Sequence, residues 1–353
     1  MKRLARYLFI GLLFIGNVTA QTWLDVQGEL TLTESVPPFE YSGITVGSGM
    51  PYDYGNRLFI RNGGHVRCLG SMYANGTVST GVDYGWLYSY ASISGNESLL
   101  EIGGDLRLSS SDLPGRYPLD PDDPWKAWGV PCHLEISGGA EVSVGGDISI
   151  INRSTLRLNS GGKLTVGSDF DASMTGFNYG EGSTLSMKGQ LSGLSTLTAG
   201  QRLETPDLLG DLTVHGTFAP GNSPADSIVD GGLTIAADGM LEMELGGYAL
   251  GSGYDRLTVT GLSSLDGTLD IVLLDDFSLA YGDSFDLFNW DGGVPVGQFA
   301  TITTNALSAG LYWETENLYT TGRLSVIPEP GVITLMVVFG SGFWFIRRYF
   351  PTA

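Results

Sequence analysis

An apolar-x-apolar strand, a Gly-Gly corner and a second alternating strand recur along this chain, and the copies stay in phase with their glycines. Leu134-Glu135-Ile136-Ser137-Gly138-Gly139-Ala140-Glu141-Val142-Ser143-Val144 returns as Leu156-Arg157-Leu158-Asn159-Ser160-Gly161-Gly162-Lys163-Leu164-Thr165-Val166, a step of 22 residues. Related copies begin at Leu58 and, in shorter form, at Leu100, 42 residues apart. Period two sets Leu134, Ile136, Val142 and Val144 on one face and Glu135, Ser137 and Ser143 on the other. Glycine at the corner permits a positive φ. Strands this short do not hold as isolated hairpins, but stacked as coils they bury their apolar faces against one another. The expected architecture is therefore an all-β, right-handed β-solenoid over 21–216, with roughly eight coils at ~4.8 Å each between Ile44 and Gly216. A β-sandwich built from similar strands is the alternative. The predicted interior includes Ile136, Val142, Val144, Ile148, Leu156, Leu158, Leu164 and Val166.

Composition agrees. Glycine is 52 of 353 residues and charged residues are 16%, which excludes a coiled coil and an ordinary helical core; hydrophobic residues at 42% argue against disorder. The 38 acids against 18 bases, −20 net, exclude a general nucleic-acid binder.

Two segments break the repeat. Over 109–131, Pro114, Pro118, Pro121, Pro124 and Pro131 alternate with Asp112, Asp120, Asp122 and Asp123 beside Trp125 and Trp128, as in a protruding loop. It is either a solvated insertion or a binding site, with Asp120, Asp122 and Asp123 as weak ligand or calcium candidates. After Gly216, Pro220-Gly221-Asn222-Ser223-Pro224 forms a turn-rich junction, and 217–327 reads as a separate antiparallel, β-sandwich-like module of longer strands. Cys68 and Cys132 fall two to three coils apart in this register, too far for a disulfide, so two thiols are expected.

The ends read as export signals. Lys2, Arg3 and Arg6, an apolar core and Val18-Thr19-Ala20 are expected to form a signal peptide over 1–20, cleaved between Ala20 and Gln21. The segment 328–353 holds Pro328-Glu329-Pro330, an uncharged stretch 332–346, and Arg347-Arg348. The stretch is expected to be a short C-terminal transmembrane helix: it spans ~22 Å against a ~30 Å hydrocarbon core, and Tyr349 and the arginine stems reach the interface to make up the difference. The arginine pair is expected to stay cytoplasmic as a membrane stop. Without both ends, 13 bases face 37 acids, −24 net.

This tripartite tail resembles the PEP-CTERM sorting signal of Gram-negative bacteria. The resemblance implies processing by an exosortase-type membrane protease, passage through the inner membrane as a precursor, and delivery to the envelope, cell surface or an exopolysaccharide-rich matrix. Tyr254-Asp255-Arg256-Leu257-Thr258-Val259, Gly267-Thr268-Leu269 and Leu318 to Leu324 are similar to the region that precedes this signal in such proteins. Pro220 to Pro224 is similar to autotransporter-associated repeats, although self-secretion is not expected.

Little points to chemistry. His65, His133 and His215 have no zinc-like spacing, and neither a nucleophile elbow nor a phosphate-cradling loop occurs. The expectation is a non-catalytic surface or matrix structural protein without a cofactor. A carbohydrate-binding adhesin is the alternative, and a polysaccharide lyase or hydrolase using Asp120, Asp122, Asp123 and Lys126 a more distant one.

Overall fold

The computed structural model describes residues 23–26, 29–33, 39–41, 43–46, 57–61, 65–69, 72–76, 89–110, 132–151, 154–221, 224–274, 277–304 and 307–329. Among them every regular element is a β-strand. Nearly every strand pairs in parallel with the strand three places further along the chain, so each coil contributes one strand to each of three faces. The described residues form eleven such coils, from Trp23–Val26 to Thr301–Thr304. This is a three-faced parallel β-solenoid.

The core follows from the alternation. On the second face Ile60, Ile93, Ile136 and Leu158 stand in register, and on the third Val66, Leu100, Val142, Leu164, Leu185, Leu203 and Phe218 do. All are essentially inaccessible, and each contributes about 1.5–3 kcal/mol through burial. The eight predicted interior residues are all buried.

The third face is one unbroken sheet of eleven strands. The other two are each interrupted: Ile148–Ile151 ends the sheet on the first face and Phe170–Asp171 begins a new one, while on the second the break falls between Phe177–Tyr179 and Thr196–Leu197. At the corner leading into the third face, backbone N–H groups of Glu141, Lys163, Thr184, Arg202 and Thr217 donate to Ser98, Ala140, Gly162, Ser183 and Gln201 of the preceding coil, each at 2.9 Å.

Several expectations are corrected. Coil length is not uniform near 22 residues: Leu134 pairs with Leu156 at that step, but Leu100 pairs with Val142 at 42 and Leu203 with Phe218 at 15. Only six third-face strands fall between Ile44 and Gly216, in place of about eight coils. Connections lengthen and shorten without disturbing the register. The copy at Leu100 is also misplaced, because it lies on the third face while those at Leu58, Leu134 and Leu156 lie on the second.

The separate antiparallel module over 217–327 is not found. Met240–Leu245 and Thr268–Leu273 extend the same third-face sheet in parallel. Among the described residues the antiparallel ladders are those of Ser284–Asp286, Leu311–Glu314 and Arg323–Pro328, a three-stranded sheet on the last coil, beside one isolated antiparallel bridge between Leu245 and Tyr254. Period-two alternation reads the same for either strand direction, so it carried no information on this point. Two consecutive strands part company here: Ser284–Asp286 joins the antiparallel sheet and Phe288–Trp290 the solenoid.

Of the insertion 109–131, Ser109 and Ser110 belong to the strand Leu106–Ser110, and 111–131 lies outside the described residues. Among the described residues no helix is long and apolar enough to cross a membrane, and the stretch 332–346 lies outside them. Cys68 and Cys132 are buried on different faces, in the second and fourth coils.

Glycine serves two corners for two reasons. Entering the third face, Gly138, Gly139 and Gly161 have φ of 64°, 87° and 77°, as the alternation-breaking turn requires. Leaving it, Gly103, Gly145 and Gly167 have no such φ; a Cβ on Gly145 would stand 2.5 Å from the carbonyl oxygen of Gly103. Coil spacing excludes a side chain there. Gly145→Ala is expected to destabilise the protein by about 1–3 kcal/mol in chemical denaturation; an unchanged midpoint would mean that the corner has room.

Candidate functional site

Of the residues singled out for sorting, Pro328 and Glu329 are described. The terminal strand Arg323–Pro328 lies between Ser284–Asp286 and Leu311–Glu314, with Leu324 and Val326 pointing into the core. Arg323 reaches across to Asp286 through two hydrogen bonds of 2.7 and 3.2 Å. Pro328 is opposite Leu311 and, lacking an N–H, closes the strand. The exposed Glu329 donates its backbone N–H to the carbonyl of Gly310 at 2.9 Å. The first two residues of the Pro-Glu-Pro triplet are thus fixed on the rim of the last coil. Pro330, Arg347 and Arg348, the cleavage pair Ala20 and Gln21, and Asp120, Asp122, Asp123 and Lys126 lie outside the described residues.

The outward positions of the third face carry charges that meet across coils. Arg67 binds Glu40 at 3.0 Å and Glu101 at 2.9 Å, and His65 meets Glu101 at 2.7 Å. Partial burial pushes the Glu101 carboxyl up, but the hydrogen bonds and charges of His65 and Arg67 outweigh it and hold the group below its ordinary value. Arg202 binds Glu204 at 2.8 Å and reaches past the next coil to both oxygens of Glu242, at 3.0 and 2.7 Å.

The other two histidines also meet residues of the following coil: His133 Nδ1 lies 2.6 Å from Thr155 Oγ1, and His215 Nδ1 lies 2.7 Å from Asp238. Burial, then the charge of Arg157, lower the His133 imidazole pKa. Among the described residues, no three or more His, Cys, Asp or Glu side chains converge as a metal site.

Two further features escaped sequence reasoning. Asp255, in the Tyr254 to Val259 motif, is a buried carboxylate that accepts the backbone N–H of Ala225 at 2.7 Å and of Glu244 at 2.6 Å. Standing at the end of the excursion 246–254, it joins the strand Met240–Leu245 to the residue preceding Asp226–Asp230. Burial pushes its pKa up to about 7 against the pull of those two hydrogen bonds, with the charges of Glu244 and Glu242 adding to the rise. On the same excursion Tyr248 follows Gly246-Gly247. Its ring stacks on the buried Phe285 at 5.9 Å and 6°, meets Phe277 at 5.3 Å and 75°, and its hydroxyl donates to Asp283 at 3.0 Å. The only sequence signal was an aromatic set between glycines.

No protein-family model matches this chain, and no curated protein matches it.

Proposed function

We propose that this chain is an exported, non-catalytic structural protein of the cell surface or extracellular matrix, delivered by its PEP-CTERM-like tail. In this reading the coils wind right-handedly, the sense that crossovers between parallel strands favour. The signal peptide is removed between Ala20 and Gln21. The segment 332–346 holds the precursor in the inner membrane, with Arg347 and Arg348 on the cytoplasmic side. An exosortase-type protease then processes the tail near Pro328–Pro330, and the mature protein associates with exopolysaccharide.

The observation that supports this reading most is the position of Pro328 and Glu329: the last strand of an elongated, self-paired body closes on the motif and presents Glu329 to solvent. The paired surface charges fit a non-catalytic role, since the carboxylates of Glu40, Glu101, Glu204 and Glu242 are engaged by arginine. The second reading, a carbohydrate-binding adhesin, is favoured by the exposed tyrosines near the last coils.

C-terminal mass spectrometry of surface-extracted protein from the native host tests the processing. Its peptides are expected to end near Pro328–Pro330, and replacing Pro328, Glu329 and Pro330 by alanine is expected to retain the precursor in the inner membrane. Surface-fraction peptides containing Trp344 or Arg347 would overturn the processing step and leave a single-pass anchor.

A further inference from the structure

Large exposed aromatic rings held rigid at a folded surface are uncommon, because a ring left in water gives up the stabilisation its burial offers. Tyr248 and Tyr281 are 61% and 70% exposed. Asp283 links them, Tyr248 through its hydroxyl and Tyr281 through the backbone turn that carries it. The Asp283 carboxylate accepts, on one oxygen, both the Tyr248 hydroxyl at 3.0 Å and the backbone N–H of Ala280 at 2.7 Å. The Asp283 N–H in turn donates to the Ala280 carbonyl at 3.2 Å, closing a turn with Tyr281 and Gly282 at its centre. Gly282 has φ +95°, the conformation that the third residue of a type II turn demands. One carboxylate therefore sets the turn that displays Tyr281 and holds Tyr248.

The base beneath is firm. Tyr248 lies parallel to the fully buried Phe285, which also meets Tyr254 edge-on at 5.4 Å. The backbone of Val326 donates to the Asp283 carbonyl at 2.8 Å, anchoring the turn to the terminal strand. Little order remains to be lost when something settles on the Tyr248 ring, and the turn fixes the backbone that carries Tyr281, which is the condition under which a small contact becomes useful affinity.

We infer that Tyr248 and Tyr281 form a binding site for the pyranose rings of a neutral or amino-sugar polysaccharide. Two rings in a polar surround offer far less apolar area than the ~1,000 Å² that a stable protein interface needs. They suit a ligand with alternating apolar and hydroxyl faces, whose C–H face lies on a tyrosine while its hydroxyls donate to the Asp283 carboxylate. The charge selects further. The chain carries −20 overall, and Asp283 sits within the site, so an anionic polymer is repelled while a neutral or cationic one is not. This deepens the proposed surface role and rests on its reading of a polysaccharide surround, but it is tested on purified protein, so a failure of sorting and a failure of binding are seen in separate experiments.

The test is affinity electrophoresis and calorimetry of the full chain, purified in mild detergent, with hydroxyethylcellulose, chitohexaose and polygalacturonate as probes. Binding to at least one of the first two and none to polygalacturonate is expected. Tyr248→Ala is expected to weaken that binding about tenfold, equivalent to ~1.4 kcal/mol. Tyr281→Ala, at a turn position exposed to solvent, is expected to weaken it severalfold with an unchanged melting temperature, and keeps the test valid if Tyr248→Ala fails to fold. Absence of binding to both hydroxyethylcellulose and chitohexaose, undiminished binding by Tyr281→Ala, or preference for polygalacturonate would each overturn the inference.

Discussion

Replacing Ile136 by aspartate is expected to abolish cooperative folding of the solenoid. Ile136 is fully inaccessible and stands in register between Ile93 of the preceding coil and Leu158 of the following one. A carboxylate there loses its hydration and gains no partner, at several kcal/mol, on top of the roughly 2–5 kcal/mol that losing a large aliphatic group costs. That sum approaches the whole stability of an ordinary domain. In a stacked array each coil leans on its neighbours, so damage to the fourth coil weakens the third and fifth as well. Far-UV circular dichroism during thermal melting of the full chain is the measurement. Ile136→Val serves as control, with an expected loss of only about 0.5–1.5 kcal/mol. A wild-type melting curve from the aspartate variant would be incompatible with this core.

The second large effect concerns Asp255. Truncation to alanine strands two part-buried backbone N–H groups, those of Ala225 and Glu244, at up to about 1–3 kcal/mol each. Its size depends on pH in a defined sense. Folding raises the Asp255 pKa from the usual carboxylate value to about 7, so the folded state takes up a proton that the unfolded chain releases. The group's contribution is therefore fullest below the unfolded pKa and declines as pH rises through about 7, where the buried carboxyl must ionise. The stability difference between wild type and Asp255→Ala should be greatest in mild acid and shrink by up to roughly 4 kcal/mol above neutrality. Urea denaturation at a series of pH values from about 4.5 to 8.5 measures it. A difference that stays flat or grows with pH would show that the carboxylate is not desolvated as described.

The two cases mark where sequence reasoning reached and where it stopped. Ile136 was legible because side-chain alternation and a glycine corner are local signals repeated in phase. Asp255 and Tyr248 were not, since what makes them notable is contact with Ala225 and with Asp283 and Phe285, at least 30 residues away in the chain. The coil count failed because hydrogen-bond register constrains strands and leaves connections free, so that 15 and 42 residues both complete a turn. Two glycine corners with different purposes looked alike in letters: Gly138 permits a turn, whereas Gly145 yields space to the coil beneath. The Pro328 to Pro330 motif was legible as composition, but its attachment to a hairpin rim through Gly310 was not.

The interrupted faces have a mechanical consequence. One side of the rod is a continuous strip of hydrogen bonds from end to end, while the other two lose their axial pairing one coil apart, near the middle. Under a bending load such a bar does not curve evenly. Its stiff edge is the third face, and its compliance is concentrated where the first and second faces are unlaced, so it flexes like a strip scored on one side, with the fold line along the uncut edge. A rod of this shape is expected to bend at that joint before any coil is peeled away.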